Sequence, residues 1–349
     1  MKHFVLFSLF ICLCAKNFAQ DQHFTQFYAA PLTLNPALTG AYDGRFRFSG
    51  IYRDQWRGTL DNPYVTFAAM LDVKFPLEFY SSKYKDAAAI GLLFYNDKVT
   101  GIDFNTNQIL LSGAYHKSLS QNNSQFLSLG FQAGLGQRNI NYEDFTFEDQ
   151  FNGTDGYSNP SRENLPSNNF SFSDFSLGLN YTVKPTRNTS LFAGVAMFHV
   201  FEPLVSFFPA DDITNYEGSK LLKKYVAHVS ASFPIADKIS LLPRIVAMQQ
   251  GPHFQVNAGT NFRILFNDYN GTALHLGGWA RPVGNYDDSF SLDAIIIMAG
   301  LEYNNVLFGL SYDATFSDLK STGRGQGAFE ISIAYLGDYD NETILCPKF

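Results

Sequence analysis

The chain has 349 residues and a formal net charge of −7, from 25 basic and 32 acidic residues. This acidic balance argues against nucleic acid as a partner, because phosphates are bound by basic surfaces. Beyond the first 19 residues, no apolar run reaches the ~18 residues that a membrane helix needs. Aromatic residues make up 16% of the chain, with 35 Phe and 19 Tyr, a content that suits the aromatic girdles of a membrane β-barrel.

The first 19 residues have the layout of a secretory signal peptide. Lys2 precedes a short apolar run at 4–14, and we expect cleavage after Ala19. Removal of this segment leaves 23 basic against 32 acidic residues, a net charge of −9. A lipoprotein anchored through Cys12 or Cys14 is the weaker alternative, because a bulky residue precedes each cysteine.

Residues 20–42 form an N-terminal arm that does not have the pattern of a strand. The stretch 23–40 reads HFTQFYAAPLTLNPALTG, which is too apolar for a free tail. The arm must therefore bury itself. It either plugs or caps the periplasmic mouth of a barrel, or it docks to another protein. The candidate partner-binding residues are Phe24, Gln26, Phe27, Tyr28, Pro31, Leu34, Asn35 and Pro36.

From residue 43 to 336 the chain alternates between apolar and small or polar residues in segments of about ten, separated by breaks. In residues 127–135, for example, every second side chain is apolar, which places one greasy and one polar face on a strand. This rhythm predicts an all-β, transmembrane, antiparallel up-and-down barrel of about 14 strands, within a range of 12–16. The predicted strands lie near 45–55, 63–74, 88–97, 106–117, 125–138, 171–183, 190–201, 224–234, 239–249, 254–266, 272–282, 290–302, 305–315 and 326–336.

An even strand number places both chain ends on the periplasmic side, with short periplasmic turns and longer outer loops. The two longest connections, 139–170 and 202–223, both follow odd strands and agree with this arrangement. The segment 75–87 is long for a periplasmic turn. A tail at 337–349 follows the barrel and carries Cys346, the only cysteine left after signal removal, so no intramolecular disulfide is expected.

The alternation also predicts which side chains face lipid and which face the lumen. Arginine is costly on lipid, so the arginine-bearing face of the first strand should point inward. The same parity assigns both signs of charge to the lumen. The predicted lumen-lining residues are Arg45, Arg47, Arg53, Asp72, Asp174, Arg263, Asp313 and Glu330. They could steer an anion, dock an acidic peptide or form ion pairs that stiffen the wall.

The sequence contains little that indicates catalysis. Its histidines and cysteines have no metal-ligand spacing, so we expect no metal and no cofactor. Glycines 323, 325 and 327 lack the context of a phosphate loop and predict an outer turn. The acids at 143, 144, 148, 149 and 155 do not have EF-hand spacing and predict a solvated loop, with calcium binding as the alternative.

Several stretches, in order, resemble the PorP/SprF family of type IX secretion membrane proteins from Bacteroidetes. They are DQHFTQFYAAPLTLNPALTG at 21–40, IYRDQW at 51–56, DFSLGL at 174–179, FAGVAMFHVFEP at 192–203, KKYVAHVSASFPI at 223–235, MQQGPHFQVNAGT at 248–260, FGLSYDATFSDL at 308–319, GAFEISIAY at 327–335 and the terminal CPKF. The family often has Pro near position 22 or 23 and Lys-Gln-Gly at 249–251, where this chain differs. Neither departure disturbs the strand pattern.

The resemblance implies an outer-membrane barrel, in contact with lipid, that works with type IX secretion or gliding components. It also implies two partners: the C-terminal domain of a large secreted adhesin, and a periplasmic OmpA-like protein that binds peptidoglycan. The leading interpretation is a non-enzymatic barrel that supports export or surface anchoring through protein contacts. A passive outer-membrane porin or solute channel is the alternative, and a barrel hydrolase is a third interpretation with little support.

Overall fold

The computed structural model describes residues 21, 23–57, 63–77, 83–143, 145–186, 188–209, 219–267, 271–284, 289–316 and 327–337. The expected signal peptide, the glycines at 323 and 325, and all but the first residue of the expected tail lie outside these ranges.

The described residues form fourteen strands. They are β1 Phe46–Gln55, β2 Tyr64–Leu77, β3 Asp86–Val99, β4 Phe104–Ser118, β5 Gln125–Asn139, β6 Asn169–Thr186, β7 Thr189–Phe198, β8 Lys224–Ala236, β9 Ile239–Gln250, β10 His253–Asn267, β11 Thr272–Gly284, β12 Phe290–Tyr303, β13 Val306–Thr315 and β14 Gly327–Gly337. Most of them exceed the ~9–11 residues with which a tilted strand crosses the hydrocarbon core.

Each strand pairs antiparallel with its neighbours in the sequence, and β1 closes the barrel against β14. Closure removes both free edges, so the backbone groups of the wall are paired within the sheet. The predicted fourteen-stranded antiparallel barrel is therefore confirmed. The seventh strand is shorter than predicted. It ends at Phe198 rather than near 201, because His199 and Glu202 turn the chain with φ angles of 55° and 46°.

The two faces of the wall differ in chemistry as strand alternation requires. On β5, Leu129 is 59% exposed on the outer face while its neighbour Ser128 is 1% exposed on the lumen face. On β6, Leu177 is exposed and Asp174 is buried in the same way. The outer face is consequently a continuous apolar band and the lumen face is polar.

The two ends of the barrel carry different connections. At one end, which we call the turn mouth, β1 begins, β14 ends and the even strands lead into connections of two to eight residues. At the other end, the loop mouth, the odd strands lead into the long connections 140–168 and 199–223. Since bacterial barrels keep their short turns in the periplasm, we expect the loop mouth to face outward.

The arm lies inside the barrel and contributes nine of the 22 buried residues of the apolar core in the described ranges, while the wall contributes the others. The arm contains a 3₁₀ turn at Phe27–Ala29, the short helix α1 at Pro31–Leu34 and a second 3₁₀ turn at Pro36–Leu38. Both prolines stand at the first helical position, where the missing N–H has no partner to lose. None of the helices in the described ranges is long and apolar enough to cross a membrane.

Two glycines of the wall allow the arm to approach it closely. A Cβ on Gly130 would lie 2.2 Å from the backbone nitrogen of Ala37, and one on Gly178 would lie 1.9 Å from Oδ1 of Asn35. No side chain fits at either distance. The wall is therefore shaped to the arm, and the two form one packed unit.

We predict that Gly130→Ala reduces the free energy of unfolding by about 1–3 kcal/mol, because the added methyl group collides with arm backbone. Gly50→Ala is the matched control, since the nearest atom to its Cβ is 3.7 Å away. Denaturant unfolding of the barrel in detergent, followed by tryptophan fluorescence, measures both variants. Equal stability of the two variants would show that the arm does not lie against β5.

Candidate functional site

The lumen and the arm within it form the candidate site. The arm contacts several parts of the wall: Thr25 bonds to β14, Asn35 to β6 and β7, and Thr39 to β4. It runs from Asp21 at the loop mouth to Tyr42 at the turn mouth. The arm thus extends through the barrel, farther than a cap on one mouth would.

A buried charge cluster, which we call the clasp, fixes the start of the arm. The clasp consists of Arg53, Arg281, Asp313 and Glu330. The Arg53 guanidinium lies 2.6 Å from the Glu330 carboxylate and 3.1 Å from that of Asp313. Arg281 pairs with Asp313 at 2.9 Å. Each of the four residues is at most 4% exposed, so the charges must compensate one another.

The arm adds hydrogen bonds to the clasp. Their donors include the backbone N–H groups of Thr25 and Gln26. Thr25 N donates to Oε1 of Glu330 at 2.7 Å, and Gln26 N donates to Oε2 at 2.8 Å. The Thr25 hydroxyl also donates to Asp313 at 2.7 Å. Two adjacent backbone donors on one carboxylate are charge-assisted bonds, which are roughly twice as strong as neutral ones.

The other end of the arm is held in a similar way. Gly40 N donates to the Asp72 carboxylate at 2.7 Å, and Arg47 bridges that carboxylate to the carbonyl of Leu38. The carbonyl of Thr39 bonds to the His116 ring at 2.8 Å. Gly40 N and the Thr39 carbonyl lie in backbone outside any strand, and lumen side chains supply their partners. The Leu38 carbonyl also accepts from Ala41 N within the arm.

Asn35 anchors the middle of the arm. Its side-chain oxygen accepts from Ala37 N at 2.9 Å and so caps the second 3₁₀ turn. Its side-chain nitrogen donates to the carbonyls of Leu179 and Val195 at 3.0 and 3.3 Å. One fully buried amide thus shapes the arm and ties it to β6 and β7.

A third cluster, which we call the latch, joins Asp21 of the arm to the loop mouth. Asp21 Oδ2 lies 2.6 Å from Nε2 of His199 and 2.9 Å from Nζ of Lys224. The other ring nitrogen of His199 lies 3.0 Å from Asp174. With a carboxylate at each nitrogen, His199 serves as a double donor and carries a positive charge.

These contacts shift the pKa values of the latch in opposite directions. Burial opposes the charge of His199, but Asp21 and Asp174 raise its pKa to about 9. Burial would raise the pKa of Asp21, yet Lys224 and His199 hold that pKa well below its ordinary value. His199 and Asp21 are therefore both charged at neutral pH.

The structure locates every predicted partner-binding residue inside the barrel. All eight pack against the lumen wall or against one another, and none is exposed. Their role in binding a partner stays a prediction. Two of them, Tyr28 and Pro31, line a cavity at the turn mouth.

Seven of the eight predicted lumen residues lie in strands of the wall, and one does not. Six are buried on the lumen face: Arg47, Arg53, Asp72, Asp174, Asp313 and Glu330. Arg263 is half-buried beside the turn-mouth cavity and pairs with Glu302 at 2.6 Å. Arg45 differs from the prediction in being exposed, because it precedes β1 and lies at the rim rather than in the wall.

Sequence reasoning missed the latch and the contacts of Thr25. His199 and Asp21 are 178 positions apart, and no local pattern links them. Parity along the strands does assign His116 to the lumen face, but not its arm partner at Thr39. The signal in the sequence is an apolar, non-strand arm that must be buried, together with a charged lumen, and this indicates burial of the arm without assigning pairs.

The arm separates two cavities. The cavity at the turn mouth has a volume of about 340 Å³ and is lined by arm residues Tyr28, Pro31 and Tyr42. The cavity at the loop mouth has a volume of about 260 Å³ and is lined by Asp21 and Thr33. Within the described part of the chain, the two cavities have no lining residue in common. The lumen is thus divided by its own N-terminal segment.

The chemistry of the lumen favours binding over catalysis. Ser128 and His116 form a 2.7 Å hydrogen bond that resembles a nucleophile and its base. Both are at most 2% exposed, and the other ring nitrogen of His116 is bonded to the arm. A substrate has no access to this pair. In the ranges that the structure covers, no three His, Cys, Asp or Glu side chains are arranged to hold a metal ion.

Comparison with known proteins identifies one family by sequence and several β-barrel proteins by structural similarity. The family model described as "Type IX secretion system membrane protein PorP/SprF" matches residues 16–335. No curated protein sequence matches the chain.

Among solved structures, the chain is similar to CdiB from Acinetobacter baumannii, with a TM-score of 0.45 and 8% identity, over 83% of this chain and 60% of that one. It is also similar to the toluene transporter TodX from Pseudomonas putida, with a TM-score of 0.43 and 12% identity, over 91% and 98%. OmpF from Salmonella typhi, in complex with daunomycin, matches with a TM-score of 0.37 and 10% identity, over 84% and 98%. The chain spans about three fifths of the CdiB chain.

We predict that Arg53→Met lowers the free energy of unfolding by about 3–5 kcal/mol, because it leaves the Glu330 and Asp313 carboxylates undercompensated in a buried site. Lys98→Met is the control, since this lysine pairs with Asp103 at a site where the two side chains are 38% and 42% exposed, and it should cause no measurable change. Thermal unfolding in detergent, read as the loss of heat-modifiable migration on gels, measures both. If the Arg53→Met barrel is as stable as the parent, the clasp does not stabilise the folded protein.

We predict that the latch weakens at alkaline pH. Because the folded pKa of His199 is raised from its ordinary value, its stabilisation is complete below about pH 6.5 and is lost as the pH rises through about 9. The parent should lose on the order of 1–3 kcal/mol across this range relative to His199→Gln. Chemical unfolding at pH 6.5 and 9.5 tests this. If the parent and His199→Gln lose the same free energy of unfolding over this range, His199 does not cause the pH dependence.

Proposed function

This chain belongs to the PorP/SprF family of type IX secretion system membrane proteins, and we propose that it serves that apparatus as a non-enzymatic outer-membrane barrel. In this role it supports the export or surface anchoring of a secreted protein or adhesin through protein contacts. The barrel is the fixed element in the lipid, and its two mouths are the surfaces that meet partners on either side of the membrane.

The observation that carries the proposal is the filled lumen. The clasp and the Asp72 contacts hold the arm with buried, charge-assisted bonds, and such bonds are costly to break once their partners are desolvated. A lumen closed in this way is suited to presenting fixed surfaces and unsuited to passing solutes. The arm therefore favours an interaction barrel over the alternative, a passive porin.

The two mouths suggest two classes of partner. The turn mouth, which we expect in the periplasm, has the larger cavity, with Tyr28 and Pro31 of the arm as part of its lining. A periplasmic chain such as an OmpA-like peptidoglycan-binding protein would dock here. The loop mouth, which we expect at the cell surface, would receive the C-terminal domain of the exported protein. Both partner classes are those that the family resemblance implies, and here we propose them for this chain.

Deletion of residues 23–40, with the signal retained, tests the proposal. We predict that the barrel still inserts in the outer membrane, since its fourteen strands close without the arm. Co-purification of type IX secretion components from detergent extracts should be lost, because the lining that the arm gives to both mouths is gone. Deletion of the exposed loop tip 152–158 is the control for shortening the chain, and it should leave co-purification unchanged.

Single-channel recording in planar bilayers separates the proposal from the porin alternative. The pure parent protein should give no stable conductance, and the arm-deleted barrel should give a large one. A stable open pore from the parent would favour a solute channel. Unchanged co-purification after deletion of 23–40 would contradict the role of the arm in partner binding.

A further inference from the structure

We propose that the loop-mouth cavity binds a carboxylate of the exported partner, with Arg138 as its counter-ion. This inference rests on the proposed function, because it names the chemistry by which one mouth of the barrel would hold its client. The cavity lies between the arm and the loops, and it is lined by Arg138 together with aromatic and polar residues of β2–β6.

Arg138 is the residue that points to a ligand. It stands one position before the end of β5, on the lumen face. Among the described residues its side chain has neither an ion-pair partner nor a hydrogen-bond partner, and its Nε is buried without a bond. A guanidinium carries five donors in a planar fork. Arg138 is half-buried, and leaving its buried Nε donor without a hydrogen bond is costly.

The other charged groups of the cavity already have hydrogen-bond or ion-pair partners. Asp97, a buried carboxylate on the same cavity, accepts a hydrogen bond from the Thr66 hydroxyl at 2.7 Å and forms no salt bridge with Arg138. Asp21 bonds to both His199 and Lys224, and Asp174 bonds to the second nitrogen of His199. Because these groups compensate one another, the latch does not need a ligand. Arg138 remains the cation that an incoming anion would meet, and the bidentate match of its fork to a carboxylate favours that anion over a point acceptor.

The aromatic side chains around the cavity indicate which kind of group is attached to the carboxylate of the ligand. The Arg138 guanidinium carbon lies 5.8 Å from the ring centroid of Phe172. Phe207, from the connection between β7 and β8, packs edge-on against Phe170 at 4.8 Å and lies 6.2 Å from Phe104, which lines the cavity. These rings form an apolar roof beside the cation. The site suits a carboxylate attached to an apolar or aromatic side chain.

The size limits the ligand to a chain end or a single side chain. The volume of about 260 Å³ is below the ~300–1,000 Å³ of drug-sized pockets. The carboxylate therefore comes from one of two sources: the C-terminus of the partner chain, or an aspartate or glutamate side chain near an apolar residue. Both present the same chemistry to Arg138, and the experiment must separate them.

The test uses the full-length purified barrel in detergent and three fluorescent tetrapeptides. The first ends in phenylalanine with a free carboxylate, the second is its terminal amide, and the third is an amide with an internal aspartate. We expect the free acid to bind at least tenfold more tightly than its amide, and Arg138→Gln to abolish this difference. Binding of the aspartate peptide would assign the source to a side chain, and its failure would assign it to the C-terminus.

Two controls keep the result specific. Arg57→Gln removes an exposed arginine at the same mouth and should bind like the parent. Arg138→Lys keeps the charge but loses the fork, and it should bind with intermediate affinity. Heat-modifiable migration verifies that each variant is folded.

The inference is overturned if the amide binds as well as the acid, if no peptide binds at millimolar concentration, or if Arg138→Gln binds like the parent. Any of these results with normal co-purification of secretion components would refute the carboxylate site and leave the proposed function standing. Loss of co-purification in the folded Arg138→Gln variant would support both.

Discussion

The structure depends on the pairing of buried lumen charges with the backbone of the N-terminal arm. Glu330 is completely buried, and its two oxygens accept from Arg53 and from the N–H groups of Thr25 and Gln26. Such a carboxylate in the wall of an empty barrel would face water. In this barrel the Glu330 carboxylate faces the arm. The charge that makes the lumen face polar therefore also holds the arm in place. Long-range hydrogen bonds therefore hold the arm to the wall, since 305 positions separate Thr25 from Glu330.

The strand pattern was readable from the sequence because alternation is a local property. In a membrane barrel the two faces meet lipid and lumen, and a shift by one residue would expose polar groups to hydrocarbon. That constraint made all fourteen strands predictable, with errors at their ends where single residues such as His199 turn the chain. The alternation of side chains along each strand likewise assigns Arg53, Asp313 and Glu330 to the lumen face.

The pairs within the lumen were not readable in this way. Which arm residue meets which wall residue depends on the barrel diameter and on gaps such as Gly130 and Gly178, which sequence periodicity does not encode. The sequence therefore indicated that the arm must be buried, but left open whether a barrel or another protein covers it. The latch of Asp21, His199 and Lys224 joins three distant segments and had no sequence signal at all.

The filled lumen connects the fold to the role of this family in type IX secretion. A membrane β-barrel of the outer-membrane type gives a rigid frame, and the arm converts its interior from a passage into two shallow, chemically distinct mouths. One mouth carries short turns, and the other carries long loops with the aromatic pair of Phe170 and Phe207. In the role that we propose, the molecule holds different chains on the two sides of the membrane without conducting solutes between them.

A disulfide trap tests most directly whether the arm occupies the lumen. The hydroxyls of Thr39 and Ser112 lie 3.0 Å apart, so cysteines at both positions, in a chain with Cys346 replaced by serine, should form a bond. Mass spectrometry of the oxidised barrel extracted from membranes should recover the linked peptides in high yield. Pairing Thr39→Cys with a cysteine at Ser332, which contacts Gln26 instead, should give no link. Free thiols at 39 and 112 in a folded barrel would show that the arm lies elsewhere.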